Sequence, residues 1–217
     1  MLENLRERLQ AHAPRRLALD GVPQAAVLLP IVARPEPTLL FTRRAGHLST
    51  HSGQVAFPGG KREEADPDLL ATALRESAEE IALPSERVEL LGRLSDVLSL
   101  HGIRVTPYVG LIPPELALVP DPAELDAIFE VPLAFFLADR RHHTDVIPVN
   151  GRPHYVPSYH TAGQVIWGLS AMMLVELLAE GFGRPVSLFR EPAEGRLCYF
   201  PNRETMVHQD LSRPSRA

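Results

Sequence analysis

Cysteine occurs only once in the 217 residues, at Cys198. That excludes an internal disulfide and any cysteine-rich metal site, and it suits a reducing cytoplasm; the thiol itself reads as a small, inert side chain. Long apolar runs are missing too. The longest, Val165 to Leu178, is interrupted by Glu176 and is too short to span a bilayer, so it reads as a buried helix and no membrane partner is expected. Near the start, Glu3, Arg6, Glu7 and Arg8 interrupt any apolar signal-peptide core, while Leu2, Leu5 and Leu9 recur at helical spacing and predict a short amphipathic helix. Excess positive charge is lacking as well. A formal net charge of −5 argues against general nucleic-acid binding, although local arginine clusters remain available for phosphates. No repeat or linker divides the chain, and a 45% apolar composition supports one sizeable core, so residues 1–217 are expected to form a single soluble domain with additions. The oligomeric state is not fixed by the sequence.

What is present alternates between strand and helix signals. Ala25 to Ala33 and Thr38 to Thr42 are apolar, strand-like runs joined by the turn Arg34-Pro35-Glu36-Pro37. A polar segment, Arg43 to Gly53, leads into a short strand, Gln54 to Phe57. Val88 to Leu100 reads as a strand or a bent one, His101-Gly102 as a hairpin turn and Ile103 to Ile112 as its return strand. Asn150-Gly151 predicts a second hairpin between His143–Val149 and Arg152–Tyr159, and Thr161 is placed as the cap of a helix over Val165 to Leu178 that Gly181 stops. The tail from Arg203 is polar and expected to be loose. These signals indicate an α/β or α+β class without naming a topology.

The most informative stretch is Phe57-Pro58-Gly59-Gly60 and the helix-forming run Pro67 to Leu83 behind it. At 100° per residue, Leu70, Leu74, Ser77 and Ile81 share one stripe, and Glu76, Glu79 and Glu80 gather in an arc roughly 140° away. One face is therefore expected to pack while the other presents three carboxylates. Carboxylates at such spacing repel by a few tenths of a kcal/mol per pair, approximately, unless a cation sits between them, and a hard ion such as Mg²⁺ or Mn²⁺ is the matching one. The alternative is a solvated acidic face. Arg75, one turn before Glu79, can pair with it as an ordinary i, i+4 bridge or to hold the cluster's geometry. Gly59 and Gly60 allow the backbone to bend sharply or to approach a ligand closely. Arg43 and Arg44 carry guanidinium forks that match phosphate oxygens, or serve as solvated edge protection. His47, His51 and His101 are weaker candidates for contacting phosphate or adenine, because no two of the nine histidines stand at a His-x3-His interval on a predicted helix; His142-His143 reads as a polar strand edge or turn.

Gly60, Asp66, Arg75-Glu76-x-x-Glu79-Glu80 and Leu83 together resemble the Nudix box, Gly-x5-Glu-x7-Arg-Glu-U-x-Glu-Glu-x-Gly-U, where U is bulky and aliphatic. The chain departs from it by one extra residue before Arg75, by Asp66 for the early Glu, by Ser77 for the first U and by Ala82 for the late Gly. Leu40-Phe41-Thr42-Arg43-Arg44-Ala45, Gly53 and Phe57-Pro58-Gly59-Gly60 are further similar to the motif of the coenzyme A pyrophosphatase branch, and Glu124 to Leu133 matches that branch's segment Glu-(Val/Leu)-x-x-(Ile/Val)-Phe-x-Val-Pro-Leu. The resemblance covers roughly residues 38 to 133. Ser49 stands where the branch motif has its second arginine, and Arg43, His47 or His51 is left to supply that charge. The resemblance implies a Nudix α/β/α sandwich with a mixed sheet. It implies Glu76 and Glu80 as primary ligands of Mg²⁺ or Mn²⁺, Glu79 as a further ligand, and Glu76, Glu79 or the later Glu124 as the base that activates water. It favours Arg44 for substrate phosphate. The implied reaction is hydrolysis of coenzyme A or a derivative to 4′-phosphopantetheine and adenosine 3′,5′-bisphosphate. Another nucleoside diphosphate derivative, such as ADP-ribose or a dinucleotide, is the alternative substrate class, and a non-hydrolytic Nudix-fold binding module is the alternative to an enzyme.

Overall fold

The computed structural model describes residues 1–47, 52–149 and 151–199. Its centre is β1 (Gln24–Val32), apolar and buried along almost its whole length because both of its faces are covered. Along β1 the side chains alternate between two cores. Leu29 and Ile31 point into one with Leu5 and Leu9 of α1 (Leu2–Ala11), while Ala26 and Leu28 point into the other with Ala73 and Ile81 of α2 (Leu69–Ile81). A mixed sheet thus lies between helices, the expected three-layer sandwich.

β2 (Thr38–Arg44) pairs antiparallel with the end of β1. The short β3 (Val55–Ala56) extends this side, and β4 (Gly59–Lys61) returns to lie antiparallel on β1. After α2, β5 (Glu89–Arg93) and β6 (Val97–Leu98) both pair with β7 (Arg104–Ile112), which runs parallel to β1 from Gln24↔Arg104 to Val32↔Ile112. The break between β5 and β6 is fixed by Asp96, a buried carboxylate accepting from Thr106 Oγ1 at 2.6 Å and from the Leu17 amide at 2.9 Å. The turn at 101–102 forms as expected, with the Gly102 amide donating to the Ser99 carbonyl at 3.0 Å. β8 (Leu125–Pro132) completes the sheet against β2, with a register shift between Arg43 and Arg44. The short α3 (Leu133–Leu137) follows.

A second sheet holds β9 (His143–Val149), β10 (Arg152–Thr161), β11 (Gln164–Ile166) and β12 (Leu197–Tyr199), in the order β11-β10-β9-β12. The predicted hairpin is present with Val149 opposite Arg152, and Asn150 lies outside the described residues. Thr161 does not cap a helix. It ends β10, and a tight turn through Ala162 (φ 47°) and Gly163 (φ 76°) returns the chain into β11. α4 (Gly168–Glu176) therefore starts later than predicted, behind Trp167, and continues as a π-helical turn over Leu177–Gly181. Leu174 and Leu177 pack in the same core as α1, and Tyr159 and Ile166 join them, so one apolar cluster spans both sheets. Among the described residues no helix is long and apolar enough to cross a membrane. The tail from Arg203 lies outside the described residues.

Candidate active site

Two glycines create the floor of the site. At Gly59 φ is +146°, and a Cβ there would lie 2.3 Å from the Ala26 carbonyl oxygen and 2.6 Å from Val27 Cα. Only glycine lets β4 lie this close on β1, and the approach turns the Gly59 amide outward to donate to Glu80 Oε2 at 3.0 Å. At Gly60 a Cβ would meet the Glu76 carboxyl carbon at 2.4 Å. The missing side chain is the space that the Glu76 carboxylate occupies.

α2 begins at Asp68, whose Oδ1 accepts from the Ala71 amide at 2.8 Å. It ends at Ala82 in the left-handed region (φ 53°), in the place where the family pattern has glycine. Its buried positions are Ala73, Ser77, Glu80 and Ile81, an i, i+4, i+7, i+8 stripe, together with Thr72. This corrects the expected division into one packing face and an opposite face presenting three carboxylates. Glu80 is buried at 6% exposure, the Glu76 side chain is 18% exposed, and only Glu79, at 61%, stands in solvent. Leu70 and Leu74, expected in the packed stripe, are only half-buried on its flank. The part of the helix face over Gly59 and Gly60 of β4 meets no side chain there, so the carboxylates of Glu76 and Glu80 occupy it.

Arg75 pairs with Glu79 as expected, Nη1 to Oε2 at 3.1 Å. Its principal partner, however, is Asp66, which sequence reasoning had noted only as a departure from the family pattern. Arg75 Nε donates to Oδ1 and Nη2 to Oδ2, both at 3.0 Å, while Thr72 Oγ1 and the Glu63 amide each donate to Oδ2 at 2.9 Å. The guanidinium beside Asp66 holds this carboxyl well below the usual carboxylate range. Arg75 Nη2 also donates to the Lys61 carbonyl at 3.1 Å and stands 3.1 Å from Glu76 Oε1. One arginine thus ties the loop 61–66 and strand β4 to the helix and turns Glu76 and Glu79 toward itself. The signal available in the sequence is an acid, Asp66, just ahead of a helix that carries Arg75.

The turn 121–125 completes the site. Its Asp121 amide donates to the Glu80 carbonyl at 2.8 Å, and the Glu124 carbonyl accepts from the Ala45 amide at 2.8 Å, so the turn is tied to both α2 and the end of β2. Glu124 itself is exposed and close enough to repel both Glu76 and Glu80. Burial, opposed by the Gly59 amide and reinforced by Glu124 and Glu76, pushes the Glu80 carboxyl up to about 7. Burial also raises Glu76, against the pull of Arg75. Even so, no three of Glu76, Glu79, Glu80 and Glu124 bring oxygens within 4.8 Å of one another. Arg44 lies close enough to Glu80 to favour its charge, and its Nε is buried with no hydrogen-bond partner among the described residues. Arg43 does not join this group: its Nε is 4.0 Å from Asp126 Oδ2, which also accepts from the Gly46 amide at 3.0 Å. His47 and His101 are exposed, and Ser49 and His51 lie outside the described residues.

A family model described as NUDIX domain matches residues 22–146. The chain belongs to the NUDIX domain family. This Nudix chain is 45% identical over 172 residues to "Uncharacterized Nudix hydrolase NudL" of Photorhabdus laumondii subsp. laumondii, covering 79% of this chain and 92% of that protein. It is 47% identical over 154 residues to the Yersinia pestis protein of the same name, covering 71% and 77%. Among solved structures, the C. elegans Ap4A hydrolase binary complex matches 53% of this chain and 86% of that chain at 17% identity and a TM-score of 0.45. The NUDIX domain of Shewanella oneidensis NrtR complexed with ADP ribose matches 61% and 85% at 23% identity and a TM-score of 0.45.

Proposed function

We propose that this Nudix chain hydrolyses the diphosphate bond of coenzyme A or a derivative, giving 4′-phosphopantetheine and adenosine 3′,5′-bisphosphate, with Mg²⁺ or Mn²⁺. The observation that carries the reading is the juxtaposition of Glu80, a buried carboxylate with no ion pair among the described residues, with Glu76, Glu124 and Arg44, whose buried Nε–H has no hydrogen-bond partner among those residues. An all-oxygen donor set of this charge fits a hard divalent ion, and the buried guanidinium N–H fits a phosphate oxygen. Glu76 and Glu80 are the primary ligands in this reading and Glu79 a further one; to reach the ion, Glu76 and Glu79 turn away from Arg75. When bound, the ion neutralises diphosphate charge and lowers the pKa of a coordinated water.

The chain's own residues supply the rest. Glu124, on a turn tied to α2, accepts the proton of the attacking water. The water oxygen forms the new bond to phosphorus as the bond to the bridging oxygen breaks. Arg44 holds a phosphate, Arg43 offers a second guanidinium at the rim once it leaves Asp126, and Gly59 and Gly60 keep the floor free of side chains. We read residues 1–217 as one Nudix unit in the cytoplasm, with α1 and the β9–α4 region as additions.

The substrate reading rests on the resemblance of Leu40 to Gly60 and Glu124 to Leu133 to the coenzyme A branch. Ser49, in the place of an arginine, favours a second reading in which ADP-ribose or a dinucleotide is the substrate. Incubation of the purified chain with coenzyme A, 3′-dephospho-coenzyme A, ADP-ribose and dinucleotides, each with Mg²⁺ or Mn²⁺ and with products resolved by mass, separates them. Phosphopantetheine from coenzyme A is expected; consumption of ADP-ribose while coenzyme A stays intact overturns the reading.

A further inference from the structure

Three histidines that look unrelated in the sequence meet at one end of the second sheet. His143 opens β9 with His142 just before it, and His160 lies near the end of β10. His143 is opposite Ser158, which brings His160 alongside the pair. A ring nitrogen of each lies within 4.8 Å of those of the other two. His142 Nδ1 and His143 Nδ1 are 2.9 Å apart, and the rings of His142 and His160 stack with centroids 4.0 Å apart and planes within 6°. The other nitrogen of His143, Nε2, is 2.9 Å from Oδ1 of Asp145, a buried carboxylate. Asp145 thereby keeps the proton on Nε2 and leaves the Nδ1 lone pair of His143 directed at His142.

We propose that His142, His143 and His160 form a binding site for a transition-metal ion of the Zn²⁺ class, with Asp145 as the outer carboxylate that fixes the tautomer of His143. Imidazole nitrogens suit Zn²⁺ and its neighbours rather than Mg²⁺, so this site and the carboxylates of α2 select different ions. With metal–nitrogen bonds of about 2.0–2.1 Å, two ligand nitrogens in a tetrahedral site stand about 3.3 Å apart, near the 2.9 Å between His142 and His143. The stacked rings of His142 and His160 are both exposed, so they can splay to turn their lone pairs toward a common ion. A carboxylate holding the far nitrogen of a ligating histidine is the arrangement that strengthens such a ligand. The adjacent Arg141 is already committed to Asp139, with Nη1 3.3 Å from Thr144 Oγ1, which limits its repulsion of a cation. A bound ion would cross-link the start of β9 to the end of β10. Cys198 Sγ lies within 4.8 Å of ligand atoms of His143 and Asp145; the proposed ligand set uses His143 Nδ1, with Nε2 held by Asp145, and leaves the thiol out.

The test uses the tag-free full chain, stripped with EDTA and titrated with Co²⁺ followed by Zn²⁺ in the absence of Mg²⁺. One equivalent of Co²⁺ should give visible ligand-field bands that one equivalent of Zn²⁺ removes, and Zn²⁺ should raise the melting temperature. His160→Gln, at an exposed position that does not threaten folding, should abolish the bands. Asp145→Asn should weaken binding roughly 10–100-fold, and Cys198→Ser should leave it unchanged. Glu76→Gln with Glu80→Gln should retain the bands. Bands that survive His160→Gln, that vanish in the double glutamine variant, or that carry a thiolate charge-transfer absorption lost in Cys198→Ser overturn the proposal. None of these readouts depends on hydrolytic activity, so failure here is separable from failure of the diphosphatase reading.

Discussion

Replacing Asp66 by Asn changes one oxygen into an NH₂ group and removes one charge, in a pocket that supplies only donors. Asp66 accepts four hydrogen bonds, two of them from Arg75. The amide oxygen of Asn can keep one side of this set, but its NH₂ group then confronts the Glu63 amide or the Arg75 fork. Breaking a buried charge pair by removing one partner costs about 3–5 kcal/mol. Arg75 retains Glu76, Glu79 and the Lys61 carbonyl, which places this case at the low end, about 3 kcal/mol. For a chain of this size about 2–4 °C is lost per kcal/mol, so thermal unfolding at pH 7 should fall by about 6–12 °C. The pH dependence has a definite sign. The Asp66 carboxyl is depressed in the folded state, chiefly by Arg75, so its contribution is complete above the unfolded value of about 3.9 and is lost as pH falls toward the depressed one. The gap between the native chain and Asp66→Asn should therefore be flat from pH 5 to 8 and narrow below about pH 4. An Arg75 released from Asp66 closes on Glu76 and Glu79, so the Mg²⁺ concentration needed for half-maximal turnover should rise. Differential scanning fluorimetry across pH, with turnover against Mg²⁺, measures both. A shift under 2 °C, or a gap that widens on acidification, would refute the argument.

Glu80→Gln should abolish metal-dependent turnover and yet stabilise the chain in EDTA at pH 8. Because burial raises this carboxyl to about 7, the metal-free native chain loses stability as pH climbs from about 4.5 through 7, whereas the Gln chain does not. Melting curves in EDTA should converge toward pH 5 and separate by pH 8; retained turnover, or equal melting at pH 8, counts against the placement of Glu80. The two floor glycines should behave differently on substitution by Ala. Gly59→Ala forces a Cβ onto backbone atoms at a positive φ and should unfold the chain or cost more than about 3 kcal/mol, while Gly60→Ala meets only the movable Glu76 carboxylate and should cost about 1 kcal/mol with a larger loss of turnover. Urea denaturation beside activity distinguishes them, and equal losses of stability at the two positions would contradict the close-approach account.

The sheet centre and the approximate extent of α2 are legible because β1 is a continuous apolar run and the stretch from Pro67 to Leu83 is rich in helix formers; the helix itself, Leu69–Ile81, is shorter at both ends and is capped by Asp68, which the sequence reading does not single out. The buried face of α2 differs from the one that Leu70 and Leu74 suggest by their apolar size, since both are only half-buried. The true anchor is Ala73, from which Ser77, Glu80 and Ile81 follow at helical spacing. Apolar size is a poor guide there, since Gly59 and Gly60 form the part of the opposing wall that meets Glu76 and Glu80, and they leave room for a carboxylate, while Ala73 and Ile81 pack on β1. The false cap at Thr161 had a related origin. Ala162 adopts a positive φ that its side chain disfavours, so only Gly163 marked the turn, and the apolar pair Val165-Ile166 was assigned to the helix when it forms a strand.

The histidine cluster shows what spacing along the chain leaves out. Read as isolated residues, His142, His143 and His160 have no ligand interval, because their proximity belongs to a strand register and not to a helical turn. Yet the register was implicit in Asn150-Gly151: a two-residue hairpin loop pairs Val149 with Arg152, and stepping back residue by residue along both strands reaches His143 opposite Ser158. His160 lies two residues further, on the same face as Ser158, and Asp145 lies two residues beyond His143 on that residue's own face. A hairpin turn identified from sequence therefore carries ligand geometry with it. Histidine spacing in this chain becomes informative only after it is counted across the turn.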